Sequence, residues 1–293
     1  MLSAGSEAPS PAAPARAIDA DRLVALGRDV RAGRLIPYLG PGMLAAGPGT
    51  RLPHTAEALA LELAQRVPVG KALRGNLWGT AQFIEQRRHR KTLVQIMSAI
   101  FDQPAEPGAL QRWLAGLHIP LIVDTWYDGA LGRAFREAGR RDFVEVQGVT
   151  RALEQRDVWV KAYDADGAMC DLEDVGLAAT VIYAPHGSGF PAKNFLVADS
   201  DYVEVLTEID IQTPIPEAVK ERRIGRGLLF LGCRFDDQML RTYARQIGKR
   251  SGGGHVALCE HVLTRMERRF FAEEGVEVVE APLAEAIAHV VKG

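Results

Sequence analysis

The stretch LIPYLGPGML, Leu35 to Leu44, decides the fold. Leu35, Ile36, Tyr38 and Leu39 form an apolar run that breaks into Gly40-Pro41-Gly42. The run reads as a short buried strand, and the glycines that follow let the backbone turn sharply and approach a ligand closely. A Gly-Pro-Gly triplet without GxGxxG spacing is just as well a plain turn, so the flanking segments have to decide.

Before the strand, Asp19 or Asp21 can cap a helix with Leu23, Val24, Leu26 and Val30 at helical spacing, ending near Gly33. Residues 1–18 are Ala, Ser and Pro with Pro9, Pro11 and Pro14, which predicts a tail without fixed structure ahead of one domain over 19–293. After the glycines, His54-Thr55 starts a helix, and further helical patterns cover 77–102 and 108–117. This is more helix than a crossover between strands needs, so residues 50–117 read as a small helical insertion beside the sheet, a lid or an interaction surface.

Beyond it the pattern alternates. Strand candidates lie at 120–125, 143–147, 158–163, 179–184, 227–232, 255–259 and 276–280. Helical candidates lie at 129–138, 200–209, 236–248, 261–273 and 283–291. Short apolar strands alternating with amphipathic helices predict an α/β fold, a Rossmann-like, doubly wound, mostly parallel sheet covered on both faces. Asp164-Ala165-Asp166-Gly167 predicts a hairpin turn within it.

Composition narrows the partners. With 35 Lys and Arg against 37 Asp and Glu, the chain has no global positive field for nucleic acid or anionic lipid. The basic run Gln86 to Lys91 reads as the solvated face of a helix. Cys170, Cys233 and Cys259 are far apart and form no CxxC pair, which argues against a zinc ribbon or a disulfide framework and fits a reducing cytoplasm. No histidine spacing suggests a metal site, no apolar run is long enough to span a bilayer, and no signal peptide opens the chain. Small-molecule or protein partners, a second copy of the chain among them, are therefore expected.

In an open α/β sheet, ligands bind beyond the carboxyl ends of the strands. The segments to read are therefore Gly40 to Met43, Thr125 to Asp128, His186 to Ser188, and Gly232 to Asp237. Together, over about residues 33–282, they resemble the SIR2-like family of NAD-binding proteins, the bacterial branch related to sirtuins. Gly40-Pro41-Gly42-Met43-Leu44 matches the glycines of the family's Gly-Ala-Gly-x-Ser phosphate loop and lacks its serine. Asp124-Thr125-Trp126-Tyr127-Asp128 occupies the place of Thr-Thr-Asn-Tyr-Asp. His186-Gly187-Ser188 resembles the family's His-Gly segment, with Asp201-Tyr202 opening the next helix. Gly232-Cys233-Arg234-Phe235-Asp236 resembles a late Gly-Tyr-Ser turn.

The resemblance implies NAD as cofactor, held by Gly40, Pro41, Gly42, Met43, Thr125, Gly187, Gly232, Cys233 and Arg234. It makes His186 the general base, with Asp128 and the Trp126 position completing the catalytic group and no metal. Each has a plainer role: His186 as a structural histidine, Asp128 as a helix cap, Arg234 in an ion pair with Asp236 or Asp237, Cys233 as packing. Trp126 stands where the family has asparagine, and an indole cannot offer an amide's carbonyl and NH2 together. Two readings follow: an NAD hydrolase releasing nicotinamide, or a catalytically impaired NAD or ADP-ribose binding module acting as a sensor or partner subunit. A deacylase is disfavoured, because the four-cysteine zinc ribbon of classical sirtuins is missing.

Overall fold

The structure is a computed structural model that describes residues 18–149, 158–208 and 215–293. The tail expected over residues 1–18 therefore lies almost wholly outside the described residues. Its last residue, Ile18, packs against the core.

The strands are β1 (Leu35–Leu39), β2 (Leu121–Asp124), β3 (Phe143–Gly148), β4 (Val160–Tyr163), β5 (Met169–Cys170), β6 (Thr180–Ala184), β7 (Gly187–Ser188), β8 (Asn194–Phe195), β9 (Gly227–Leu231), β10 (Val256–Cys259) and β11 (Glu277–Glu280). Nine of them form one sheet in the order β11-β10-β9-β1-β2-β6-β3-β4-β5. The pairings from β11 across to β3 are parallel, and β4 and β5 close one edge antiparallel. The turn between β4 and β5 is the one the sequence predicts: Asp164 Oδ1 accepts from the Asp166 and Ala168 amides, each at 2.9 Å. Strand order reverses around β1, which has β2 on one side and β9 on the other.

The helices are α1 (Ala20–Arg31), α2 (Ala56–Arg66), α3 (Leu77–Ile100), α4 (Ala109–Ala115), α5 (Ala130–Glu137), α6 (Asp199–Glu208), α7 (Glu217–Arg223), α8 (Gln238–Gly248), α9 (Arg265–Glu273) and α10 (Leu283–Val290). Their sorting follows the period of two along each strand. Leu35 and Leu39 of β1, with Leu229 and Leu231 of β9, face a core built with Leu23 and Leu26 of α1, Leu114 of α4, Phe135 of α5 and Ile287 of α10. Ile36, Tyr38, Leu228 and Phe230 face the opposite core, with Leu59 of α2, Met97 of α3, Tyr202 of α6, Val219 of α7, Tyr243 of α8 and Phe271 of α9. Strands apolar on both sides thus make the central layer of a Rossmann-like three-layer fold.

The basic run is solvated at Gln86, Arg87, Arg88, His89 and Lys91, as expected of a solvated face, and departs from that expectation at Arg90. The backbone of α3 breaks at His89, which has φ 68° and ψ 154°, and Arg90 turns inward to 7% exposure. Its guanidinium donates to Asp201 at 2.7 Å, to Glu85 at 3.0 Å and to the Phe195 carbonyl. Asp201 also accepts from the Val197 and Ala198 amides at 2.9 and 3.0 Å. The helical segment is therefore pinned to the chain that precedes α6.

Candidate functional site

A cavity of about 350 Å³ lies at the carboxyl ends of β1, β2, β9 and β10, where the strand order reverses. Its floor is made by Pro41 and Gly42 after β1, Thr125 and Trp126 after β2, and Gly232, Cys233 and Arg234 after β9. The start of α2 and the two residues before it, His54 to Glu57, line the cavity with that floor, and Glu260 and His261 after β10 complete the wall.

The glycines have a local cause. The Gly42 amide donates to the Gly232 carbonyl at 2.9 Å, and Gly232 sits at φ 65°. A methyl group on Gly40 would stand 2.4 Å from the Gly232 oxygen, and one on Gly232 would stand 2.6 Å from the Met43 nitrogen. The close approach that glycine permits is thus between the two loops, whose joined backbones form the cradle.

Of the residues singled out in the sequence, eight line the cavity: Pro41, Gly42, Thr125, Trp126, His186, Gly232, Cys233 and Arg234. The other four stand behind it. Gly40 packs on Gly232, and Met43 is buried in the core on the opposite face of the sheet. Gly187, at φ 75°, pairs with Phe195. Asp128 accepts from the Ala130 amide at 2.7 Å and so caps α5. Burial raises the Asp128 carboxyl, and burial together with the Asp128 charge raises neighbouring Asp124 well above the usual carboxylate range.

Trp126 is 4% exposed, and its single N–H donates to the Pro53 carbonyl at 2.9 Å. Its ring joins Phe101 and Tyr127 in an aromatic cluster that reaches Phe195. Thr125 donates its hydroxyl to the Leu39 carbonyl at 2.7 Å, and Cys233 donates its thiol to the Tyr38 carbonyl. Burial pushes that thiol well up, so Cys233 is no thiolate nucleophile near neutrality.

His186 is 2% exposed. Its Nδ1 lies 3.1 Å from the Tyr202 hydroxyl, its ring packs tilted against Tyr243 at 4.7 Å between centroids, and its Nε2 is buried without a hydrogen-bond partner. Burial pushes the imidazole down to about 3, so it is neutral at physiological pH.

Arg234 meets a partner that the sequence reading did not name. Its Nε donates at 3.1 Å to Glu267 of α9, a fully buried carboxylate, while Asp236 lies at 3.5 Å. Glu267 also accepts from the Phe235 and Thr264 amides at 3.1 and 2.9 Å. Against the opposing effect of burial, these amides and Arg234 hold it down to about 2. Sequence reasoning also missed Tyr38, His54, Glu57, Trp78, Glu260 and His261. The signal for Glu260 and His261 was present, because they directly follow a predicted strand and ligands gather at such ends.

A mostly parallel sheet with a cavity at its switch point defines a Rossmann-like architecture, and that is the place where such sheets hold their ligands. The model of the SIR2-like domain family matches residues 120–279, more than half of the chain, and the protein belongs to that family, which is associated in general with NAD. Among curated proteins, none matches the chain. Among the described residues there is no group of His, Cys, Asp and Glu that could hold a metal ion, and no helix long and apolar enough to cross a membrane.

Proposed function

We propose that the protein binds NAD, or ADP-ribose as its larger half, in the cavity at the ends of β1, β2 and β9, and cleaves the nicotinamide bond slowly or not at all. The observation that carries this reading is Trp126. At the position where the resemblance sets an amide, the only side-chain polar atom is an indole N–H already donated to Pro53. The Trp126 side chain has no polar group left to orient a water, and misplacing a reactant costs on the order of 100-fold in rate.

The residues present fit such a ligand. The cavity volume of about 350 Å³ is at the lower end of the about 300–1,000 Å³ typical of small-molecule sites. Gly42 and Gly232 line the cavity, and the Arg234 guanidinium, 40% exposed, offers charge to a pyrophosphate. When bound, NAD supplies a glycosidic bond to a cationic leaving group. His186 lies on the cavity wall with Nε2 unspent, and a buried polar atom without a partner calls for an explanation that a ligand hydroxyl would provide. That same atom favours the second reading, an NAD hydrolase in which neutral His186 acts as general base.

One experiment separates them. The purified protein is heated with and without NAD and ADP-ribose, and nicotinamide release from NAD is followed by chromatography, with His186→Ala in parallel. Both nucleotides are expected to raise Tm, by about 2.7 kcal/mol of stability at 100 times Kd, with nicotinamide at background. Release that disappears in His186→Ala favours the hydrolase, and no shift in Tm rejects both readings.

A further inference from the structure

The geometry points to Tyr202 as the residue that decides which ring nitrogen of His186 carries the proton, a positioning residue that acts through the histidine and does not line the cavity. The inference rests on the reading of His186 as the group that meets the ligand.

A neutral imidazole has one N–H, and the nitrogen that carries it sets what the other can do. Tyr202 is fully buried, and its hydroxyl lies 3.1 Å from His186 Nδ1 and 3.1 Å from the Leu196 carbonyl. Tyr127 donates to the same carbonyl at 2.7 Å, and a carbonyl oxygen has room for two donors. Two arrangements are open. If the proton is on Nδ1, it is donated to the Tyr202 oxygen, and Tyr202 and Tyr127 both donate to Leu196, so every proton in the network is used. If it is on Nε2, Tyr202 must spend its only proton on Nδ1. Leu196 then keeps Tyr127 alone, and an N–H is left buried without an acceptor.

The first arrangement has one more buried hydrogen bond, which favours it by about 2- to 13-fold. It leaves the Nε2 lone pair free, the form that could accept from a ligand hydroxyl and serve as a base. The second presents an N–H and can do neither. Tyr202 is held for this task from both sides. The Leu196 amide donates to the His186 carbonyl at 2.9 Å, and the preceding residue, Asp201, is clamped by Arg90.

The test reads the tautomer directly in the ligand-free protein. Two-bond proton–nitrogen correlation spectra are recorded at pH 7 on protein with 15N-labelled histidine, with His186 assigned by its loss in His186→Gln. The expected result is a proton on Nδ1 in about 2- to 13-fold excess. Tyr202→Phe should shift the ratio toward Nε2–H by a similar factor, and Tyr127→Phe, which leaves Tyr202 its contact with Nδ1, should keep the excess. A wild-type spectrum with the proton on Nε2 overturns the inference whether or not the variants fold, as does a ratio that Tyr202→Phe leaves unmoved. Stabilisation by ADP-ribose, measured on the same samples, is independent: its absence removes the ligand reading and leaves the tautomer assignment standing.

Discussion

His186 is a neutral imidazole enclosed by Tyr202 and Tyr243, and its enclosure has a consequence in solution. In the unfolded chain it takes a proton near pH 6.5, whereas burial in the folded chain defers protonation to about 3. Between those values the unfolded state binds the extra proton, so this residue lowers stability as pH falls from 6.5 toward 3 and contributes nothing to the slope above 6.5. Urea unfolding of wild type and His186→Gln from pH 7.5 to 5 should show the wild type losing more stability, on the order of 1 kcal/mol per pH unit in the lower half of that range. Parallel profiles would contradict the buried neutral state. Asp128 and Glu145, whose carboxyls burial raises to about 6 and about 7, act in the opposite sense in both proteins and cancel in the difference. At this scale the sequence showed residue types but not partners. Trp126 was legible as an indole where the family resemblance sets an amide, because the difference is a matter of residue chemistry. That its N–H goes to Pro53, or that Arg234 finds Glu267 on α9, depends on segments brought together only by folding.

The break in α3 shows the same limit at the scale of an element. Leu77, Ala81 and Ile84 keep helical spacing, as do Leu93, Met97 and Ile100, and all six are buried. From Ile84 to Leu93, however, the chain advances nine residues. At 100° per residue that is about 900°, half a turn out of phase for a straight helix. Both stripes reach the core because His89 leaves the helical region, at a typical strain of about 1–3 kcal/mol. The phase slip was visible in the sequence; the inward turn of Arg90 was not, since its partner Asp201 is 111 residues away. Arg90→Met should destabilise the protein by about 3–5 kcal/mol in chemical denaturation, because it strands a buried carboxylate, and adding Asp201→Asn should recover part of the loss. A cost below about 1 kcal/mol, the usual value of an exposed pair, would show that the clamp does not hold this element.

Over the whole molecule, stability should fall from the middle of the sheet outward. β1 is paired on both sides and buried along its length, as is β9, whereas β11 is an edge strand with Glu277 and Glu280 exposed and β5 is a two-residue edge. Native-state hydrogen exchange should therefore find the slowest amides in β1, β2 and β9, with β5 and β11 opening first. Equal protection across the sheet would refute that ranking. By itself the sequence determined most of the strands and helices, though not α7 or the two-residue strands β5, β7 and β8, together with their alternation and the α/β class, because apolar periodicity and turn residues act over a few neighbours. The carboxyl-end rule then points to the floor of the cavity. Only the tertiary structure decided the strand order, the facing of Gly42 and Gly232, the approach of α2 to the cavity, and the tyrosines around His186. Those features depend on contacts between residues tens to hundreds of positions apart, whose free energies no local pattern encodes.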